Sequence, residues 1–209
     1  MLAALQPDIM GVQEIRLADL DDIYTPLPSD LLVNLDECRA QVIALLDSLP
    51  TLYAQTTNVE SAVGPALEAA VQMMGHIGGK LLVFLGGLPS IGAGRLTNRE
   101  DPRLFGTPKE HTVVAPIDDF YKKKAVRMSR FQISADVFFF SNTYTDVSTV
   151  GEIARFTGGQ IYRYPDFRVA TDSTKFAQDL YRNLTRTTAW EAVVRVRASD
   201  GMYEAVAMC

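Results

Sequence analysis

Residues 78–97 read GGKLLVFLGGLPSIGAGRLT, a short apolar run set between two glycine pairs and followed by a glycine-rich loop. An unbroken apolar stretch such as Lys80 to Leu85 reads as a strand buried on both faces, the kind that parallel sheets use. An α/β enzyme places its ligand just beyond such a strand. This loop lacks the residues for that work. A nucleotide loop needs Lys and then Ser or Thr after its last glycine, but Gly87-x-x-x-x-Gly92 is followed by Ala93 and Gly94. A dinucleotide fingerprint fails too, because Thr97 stands where the third glycine belongs, and Pro89 and Pro102 predict a long irregular loop instead of a helix start. The reading is an α/β scaffold with no enzyme site in this loop. The alternative, a small-molecule-binding α/β enzyme using Gly86 to Thr97, requires a concave pocket there with converging ionisable groups.

Outward from this strand, helical and strand-like patterns alternate. Leu35, Cys38, Val42, Leu45, Leu46 and Leu49 recur at helical spacing, and Pro50 is expected to close that helix. Pro65 suits the first turn of a second helix, with Ala66, Leu67, Ala70, Val71 and Met74 inward. A more polar helix is expected over Asp118 to Arg130. Asp146 caps a fourth, with Val147, Val150, Ile153, Ala154 and Thr157 as its stripe and Gly158-Gly159 at its end. A fifth starts near Ser173, with Phe176, Leu180 and Leu184 inward. Strands are expected over Ile9 to Ile15, Lys80 to Leu85, Ala135 to Ser141 and Gln160 to Tyr164. Short apolar strands separated by helices point to the parallel sheet of an α/β layer fold. From Trp190 to Ala198 the chain reads WEAVVRVRA, a longer strand that opens a separate all-β unit.

With 209 residues, 47% hydrophobic and 22% charged, the chain can bury a real core. A net charge of -5 argues against nucleic acid as the main partner, since phosphate binding needs a concentrated basic surface. Cys38 and Cys209 are the only cysteines, too few for a disulfide framework or a thiolate metal site. That usage fits a reducing, cytosolic setting. No apolar run approaches the ~20 residues that cross a bilayer.

Conventional chemistry finds little to build on. His76 and His111 are the only histidines, and neither has the spacing of a zinc pair; His76 reads as a favourable charge at a helix end. Ser90 has Leu88 where a nucleophile elbow requires glycine. Asp19, Asp21 and Asp22 read as a solvated turn in preference to a cation site, and Lys122, Lys123 and Lys124 as a wet helix face in preference to a membrane or acidic-partner contact. Arg195 and Arg197 carry more. Two apart on a strand, they point to the same side ~6.5–7 Å from each other, so both guanidinium groups can close on one carboxylate or on two neighbouring ones. By spacing alone an exposed strand face is the favoured account of them.

Many ordered blocks carry a family resemblance: Asp21-Asp-Ile-Tyr-Thr-Pro-Leu-Pro, Asp30-Leu-Leu-Val-Asn-Leu, Gly64-Pro-Ala-Leu-Glu-Ala-Ala, Leu88-Pro-Ser-Ile-Gly-Ala-Gly, Asp118-Asp-Phe-Tyr-Lys-Lys, Gly159-Gln-Ile-Tyr-Arg-Tyr-Pro and Trp190-Glu-Ala-Val-Val-Arg-Val-Arg. In these, along nearly the whole chain, the sequence resembles the Sec-twenty-four cargo-adaptor family of the COPII vesicle coat. The resemblance implies a von Willebrand A-like layered α/β trunk with a mostly parallel sheet over residues 1–188, N-terminally truncated, and the first strand of a β-sandwich domain over 189–209. It implies a non-enzymatic coat subunit that selects membrane-protein cargo for transport from endoplasmic reticulum to Golgi. Its partners would be the GTPase-activating subunit of the inner coat, acidic sorting signals on cargo tails and, peripherally, the endoplasmic reticulum membrane, with no nucleic acid. Its place would be cytoplasmic, on endoplasmic reticulum exit sites and COPII vesicles. Arg195 and Arg197 match the two arginines that read acidic signals. The family's zinc-finger segment has no counterpart in these residues, so no cofactor is expected. The von Willebrand A metal motif Asp-x-Ser-x-Ser does not occur, which counts against a magnesium-dependent adhesion module.

Overall fold

A computed structural model describes residues 5–8, 11–14, 19–25 and 31–189. The chain divides into two compact units, residues 1–76 with 88–97, and residues 77–87 with 98–209.

In the first unit, the strand expected over Ile9 to Ile15 is replaced by two short strands, β1 (Leu5–Asp8) and β2 (Gly11–Glu14), paired antiparallel with Leu5 opposite Glu14 and Asp8 opposite Gly11. A local hairpin satisfies the backbone that a single long strand would have offered to the parallel sheet. Helix α1 (Leu35–Leu52) starts at Asn34, whose side chain accepts from the Asp36 amide, and runs through Pro50 instead of stopping there. Proline costs a helix one donor, and so close to the C-terminus that loss is small. Cys38, Val42, Leu45 and Leu49 form a half-buried stripe, while Leu35 and Leu46 of the expected stripe are exposed. Helix α2 (Val63–Met74) buries Leu67, Ala69, Ala70 and Val71; Ala66, expected inward, is exposed, and Ala69 takes the place next to the core. Gln72 of this helix accepts from the Thr25 amide and hydroxyl and donates to the Ile23 carbonyl at 2.6 Å, which zips segment 23–25 along α2.

The second unit holds the parallel sheet. Strands β3 (Gly79–Leu85), β4 (Ile133–Phe139) and β5 (Ile161–Arg163) lie in the order β3-β4-β5, all parallel. Central β4 is buried at six of its seven positions, as a doubly covered strand should be. Among the described residues β3 pairs on one side only, so it is only partly buried, and Phe84 keeps 51% of its surface exposed, contrary to the expectation for Lys80 to Leu85. Helix α4 (Phe120–Arg130) follows the short turn α3 (His111–Val114) and packs on residues 152–157 with Tyr121, Ala125 and Met128 inward, at the spacing of one helical face. The fourth expected helix is divided at Gly151 into α5 (Val147–Val150) and α6 (Glu152–Thr157). Both expected ends are present. Asp146 accepts from the Thr149 amide at 3.0 Å, and Gly158 adopts φ 70°, the left-handed conformation in which a glycine closes a helix without strain. Helix α7 (Val169–Thr185) starts about a turn before Ser173. It turns Asn183 into the core and leaves Leu184 exposed.

Phenylalanine and tyrosine rings cover one face of the sheet. Phe84, Phe138 and Tyr162 are register partners across the three strands, with ring centroids 5.0 and 4.5 Å apart and near-parallel planes. Phe140 and Tyr164, two residues further on, stack at 5.2 Å. Phe176 of α7 meets Phe138, Phe140 and Tyr164 edge-on, the arrangement that the ring quadrupole favours.

Candidate functional site

Arg195 and Arg197, with the strand Trp190 to Ala198 and the β-sandwich start that holds them, lie outside the described residues. The other candidate positions can be followed one by one.

Between Leu88 and Thr97 the glycine-rich loop is bound into its own unit. The Ser90 and Ile91 amides donate to the Ser61 carbonyl, the Ser61 amide donates to Ser90 Oγ, and the Leu96 amide donates to the Pro89 carbonyl at 2.7 Å. Gly92 sits with φ 72°, so close to α2 that a Cβ there would lie 2.6 Å from Pro65 Cγ. Amides committed in this way cannot cradle a phosphate, and Ser90 Oγ is an acceptor in a turn. Leu96 is buried. The loop is packed, as the scaffold reading requires, and the enzyme alternative receives no support from it.

Asp19 Oδ1 accepts from the Asp21 and Asp22 amides at 2.9 and 3.2 Å, and these bonds hold its carboxyl below the usual range. That is a self-bonded turn. Lys122 lies 5.3 Å from the Phe156 ring centre and Lys124 5.4 Å from that of Phe120, so the lysine run splays to two sides of α4. His111 Nδ1 lies 2.8 Å from the Pro108 carbonyl, and exposed His76 follows the end of α2. Among the described residues, no group of three or more His, Cys, Asp or Glu side chains converges to hold a metal ion, and no helix is long and apolar enough to cross a membrane.

Two ionic clusters are structural. Arg99 binds Asp146 through Nε at 2.8 Å and Nη2 at 3.1 Å, and also donates to Ser148 Oγ and to the Thr112 carbonyl. Burial alone would push the Asp146 carboxyl up, but bonds from Arg99, Ser148 and Thr149 outweigh it and hold the group below the usual carboxylate range. Asp136, on β4, accepts from the Gln160 amide and from Asn183 Nδ2, and pairs with Lys80 Nζ at 3.5 Å. Reading by hydrophobic period passed over both clusters. The available signal was one carboxylate inside the apolar run Ala135-Asp-Val-Phe-Phe-Phe140, since a buried charge needs a partner.

Asp146→Asn should lower stability by about 1–2 kcal/mol near neutral pH, because the two-point ion pair with Arg99 is lost while asparagine can still cap the helix. The folded carboxyl is depressed, so its contribution is present above the unfolded value of about 3.9 and is lost as pH falls through the folded value. Melting curves from pH 3 to 7 should therefore show a wild-type-to-variant gap that widens through about pH 4 and then levels off. A gap independent of pH would reject the ionic account.

Helices beside a three-stranded parallel sheet, with the buried carboxylates Asp136 and Asp146 paired to Lys80 and Arg99, place the second unit in the layered α/β class. The Sec23/Sec24 trunk domain model matches residues 4–184, and the chain belongs to that family. It is 50% identical over 198 residues to "Protein transport protein SEC24 A" of Arabidopsis thaliana, covering 94% of this chain and 19% of the relative. It is 43% identical over 188 residues to "Protein transport protein SEC24" of Coccidioides immitis, covering 89% and 20%. Among solved structures, the human COPII-coat protein Sec24c matches with a TM-score of 0.78 and 34% identity over 82% of this chain and 24% of that one. The chain thus spans about a fifth of the length of the curated relatives it matches.

Proposed function

We propose that this chain is trunk material of a COPII inner-coat subunit, a non-enzymatic protein that helps select membrane-protein cargo for transport from endoplasmic reticulum to Golgi. The observation that carries the reading is the 50% identity to a SEC24 transport protein across 94% of the chain. The internally bonded glycine loop agrees with it, since a scaffold needs no ligand cradle there. On this reading residues 1–188 belong to the trunk, 189–209 begin the β-sandwich, and the chain contains no cofactor site. The trunk joins the GTPase-activating partner subunit on the cytoplasmic side of the endoplasmic reticulum membrane. Arg195 and Arg197, two apart in the sequence, take acidic sorting signals.

Arg195→Ala with Arg197→Ala should weaken binding of an acidic cargo-tail peptide by at least about tenfold, measured by fluorescence anisotropy, because charge-assisted bonds are lost. Wild-type binding should also weaken with added salt. Equal affinity in the double variant would remove those two arginines from the reading. Failure of the chain to capture the intact partner subunit in a pull-down would count against the coat reading as a whole.

A further inference from the structure

Helix α4 presents to solvent a face of one charge sign. Its exposed side chains are Lys122, Lys123, Val126, Arg127, Ser129 and Arg130, and no acidic residue occurs between Asp119 and Asp136. Lys122, Val126 and Arg130 follow one line along the helix at four-residue spacing, with Lys123 and Arg127 on the line beside it. Tyr121, Ala125 and Met128 fix the opposite face in the core, so the cations cannot rotate away from solvent. The lysine run alone reads as a wet face, but a wet face mixes signs and this one does not. Like charges such as Lys123 with Arg127, four apart, and Arg127 with Arg130, three apart, work against the helix they sit on. The whole chain carries a net charge of -5, so this concentration of positive charge is local.

Helix α6 extends the face. Lys122 Nζ lies 5.3 Å and Arg155 Cζ 5.4 Å from the centre of the Phe156 ring, and Ser129 Oγ donates to the Phe156 carbonyl at 2.7 Å, which fastens α6 to α4 at this point. Arg155 bonds buried Glu152 at 3.0 Å and still keeps 71% of its side chain exposed. Two cations are thus held against one ring before any ligand arrives, which lowers the ordering cost of binding.

A lipid surface and an acidic polypeptide both offer negative charge, and two observations favour the polypeptide. An interfacial helix inserts its apolar face, and that of α4 is buried in the protein. Successive turns of a helix lie ~5.4 Å apart and alternate residues of an extended chain ~6.6 Å apart, so carboxylates at every second position can meet cations on successive turns. Arg127 and Arg130 can each grip a carboxylate through two parallel bonds.

We propose that the outer face of α4, with Arg155 beside it, docks an extended acidic segment of a partner polypeptide whose carboxylates alternate along one edge. The inference uses neither Arg195 nor Arg197 and does not rest on the coat reading.

The test is a titration of the isotope-labelled chain with acetyl-Gly-Glu-Ser-Glu-Ser-Glu-Gly-amide, followed through the backbone amides of Lys123, Arg130 and Arg155, with the glutamine counterpart as comparator. The glutamate peptide should give saturable shifts at low salt, weakened by added salt, and bind at least about fivefold tighter than the glutamine peptide. Lys123→Gln with Arg130→Gln, two exposed positions, should weaken the glutamate peptide at least about fivefold. Arg103→Gln with Lys109→Gln, which removes equal charge from exposed positions elsewhere in the second unit, should keep affinity within about twofold of wild type. Equal losses in the two double variants, equal binding of the two peptides, or no saturable shift in the wild type would each overturn the proposal. Vesicles of phosphatidylserine and phosphatidylcholine in equal parts provide the other arm. Sedimentation with them that Lys123→Gln with Arg130→Gln abolishes, without any shift from the glutamate peptide, would assign the face to lipid and overturn the polypeptide.

Discussion

Asp136→Ala should destabilise the chain by about 3–5 kcal/mol, the range for removing one partner of a buried ion pair. At about 2–4 °C per kcal/mol for a chain of this size, Tm should fall by on the order of 10 °C. The reason lies in what is left behind. Asp136 is 1% exposed on the central strand, where its carboxylate receives three donors: the Gln160 amide at 2.5 Å, Asn183 Nδ2 at 2.7 Å and Lys80 Nζ at 3.5 Å. Asn183 belongs to α7, and Lys80 Nζ also donates to its carbonyl at 3.0 Å and to its side-chain oxygen at 3.2 Å. One carboxylate therefore ties the central strand, the β5 approach and the last helix together. Without it, a lysine and two amide donors remain at a site that water barely reaches, and an orphaned buried donor costs more than the bond it once made. Adding Lys80→Met should recover part of the loss, because it removes the uncompensated charge; a double variant as unstable as the sum of both singles would show that the two residues are not coupled.

The same network explains where reading by pattern succeeded and where it failed. Central β4 was legible because its apolar run is long and its β-branched and aromatic residues suit a doubly covered strand. The Asp146 cap and the Gly158 terminus were legible because both act locally, through the chain's own amides and a single φ value. The inward face of α7 was not. Its apolar period predicts Phe176, Leu180 and Leu184, but Asn183 points inward to serve Asp136, and Leu184 is turned outward. Burial of Lys80 to Leu85 was overestimated for a related reason: hydrophobicity reports that a strand can be covered, whereas edge position depends on how many strands pair with it. The glycine loop was legible by elimination, since motif residues can be checked one by one. Arg195 and Arg197 remain readings of spacing and resemblance.

Gly159→Ala should cost about 3 kcal/mol, the upper part of the range for overpacking, although the change adds a single methyl group. Gly159 follows the left-handed Gly158 and donates its amide to the Ala154 carbonyl at 2.8 Å, which closes α6. It also lies directly against β4: an added Cβ would sit 1.8 Å from the Ala135 carbonyl oxygen and 2.6 Å from its carbon, with Asp136 Oδ1 at 3.1 Å. A flexible side chain could rotate away from such a clash, but a strand backbone cannot, so either the turn into β5 must lift or β4 must shift. Either movement strains the bond from the Gln160 amide to Asp136, and with it the network that holds α7. Gly158→Ala acts through the left-handed φ of 70° and should cost only about 1 kcal/mol. Comparing the two in urea separates crowding from conformation, because both glycines sit in one turn, Gly159 pressed against the strand backbone and Gly158 in the left-handed region. Equal losses from the two substitutions would mean that the close approach to β4 contributes nothing beyond the turn itself.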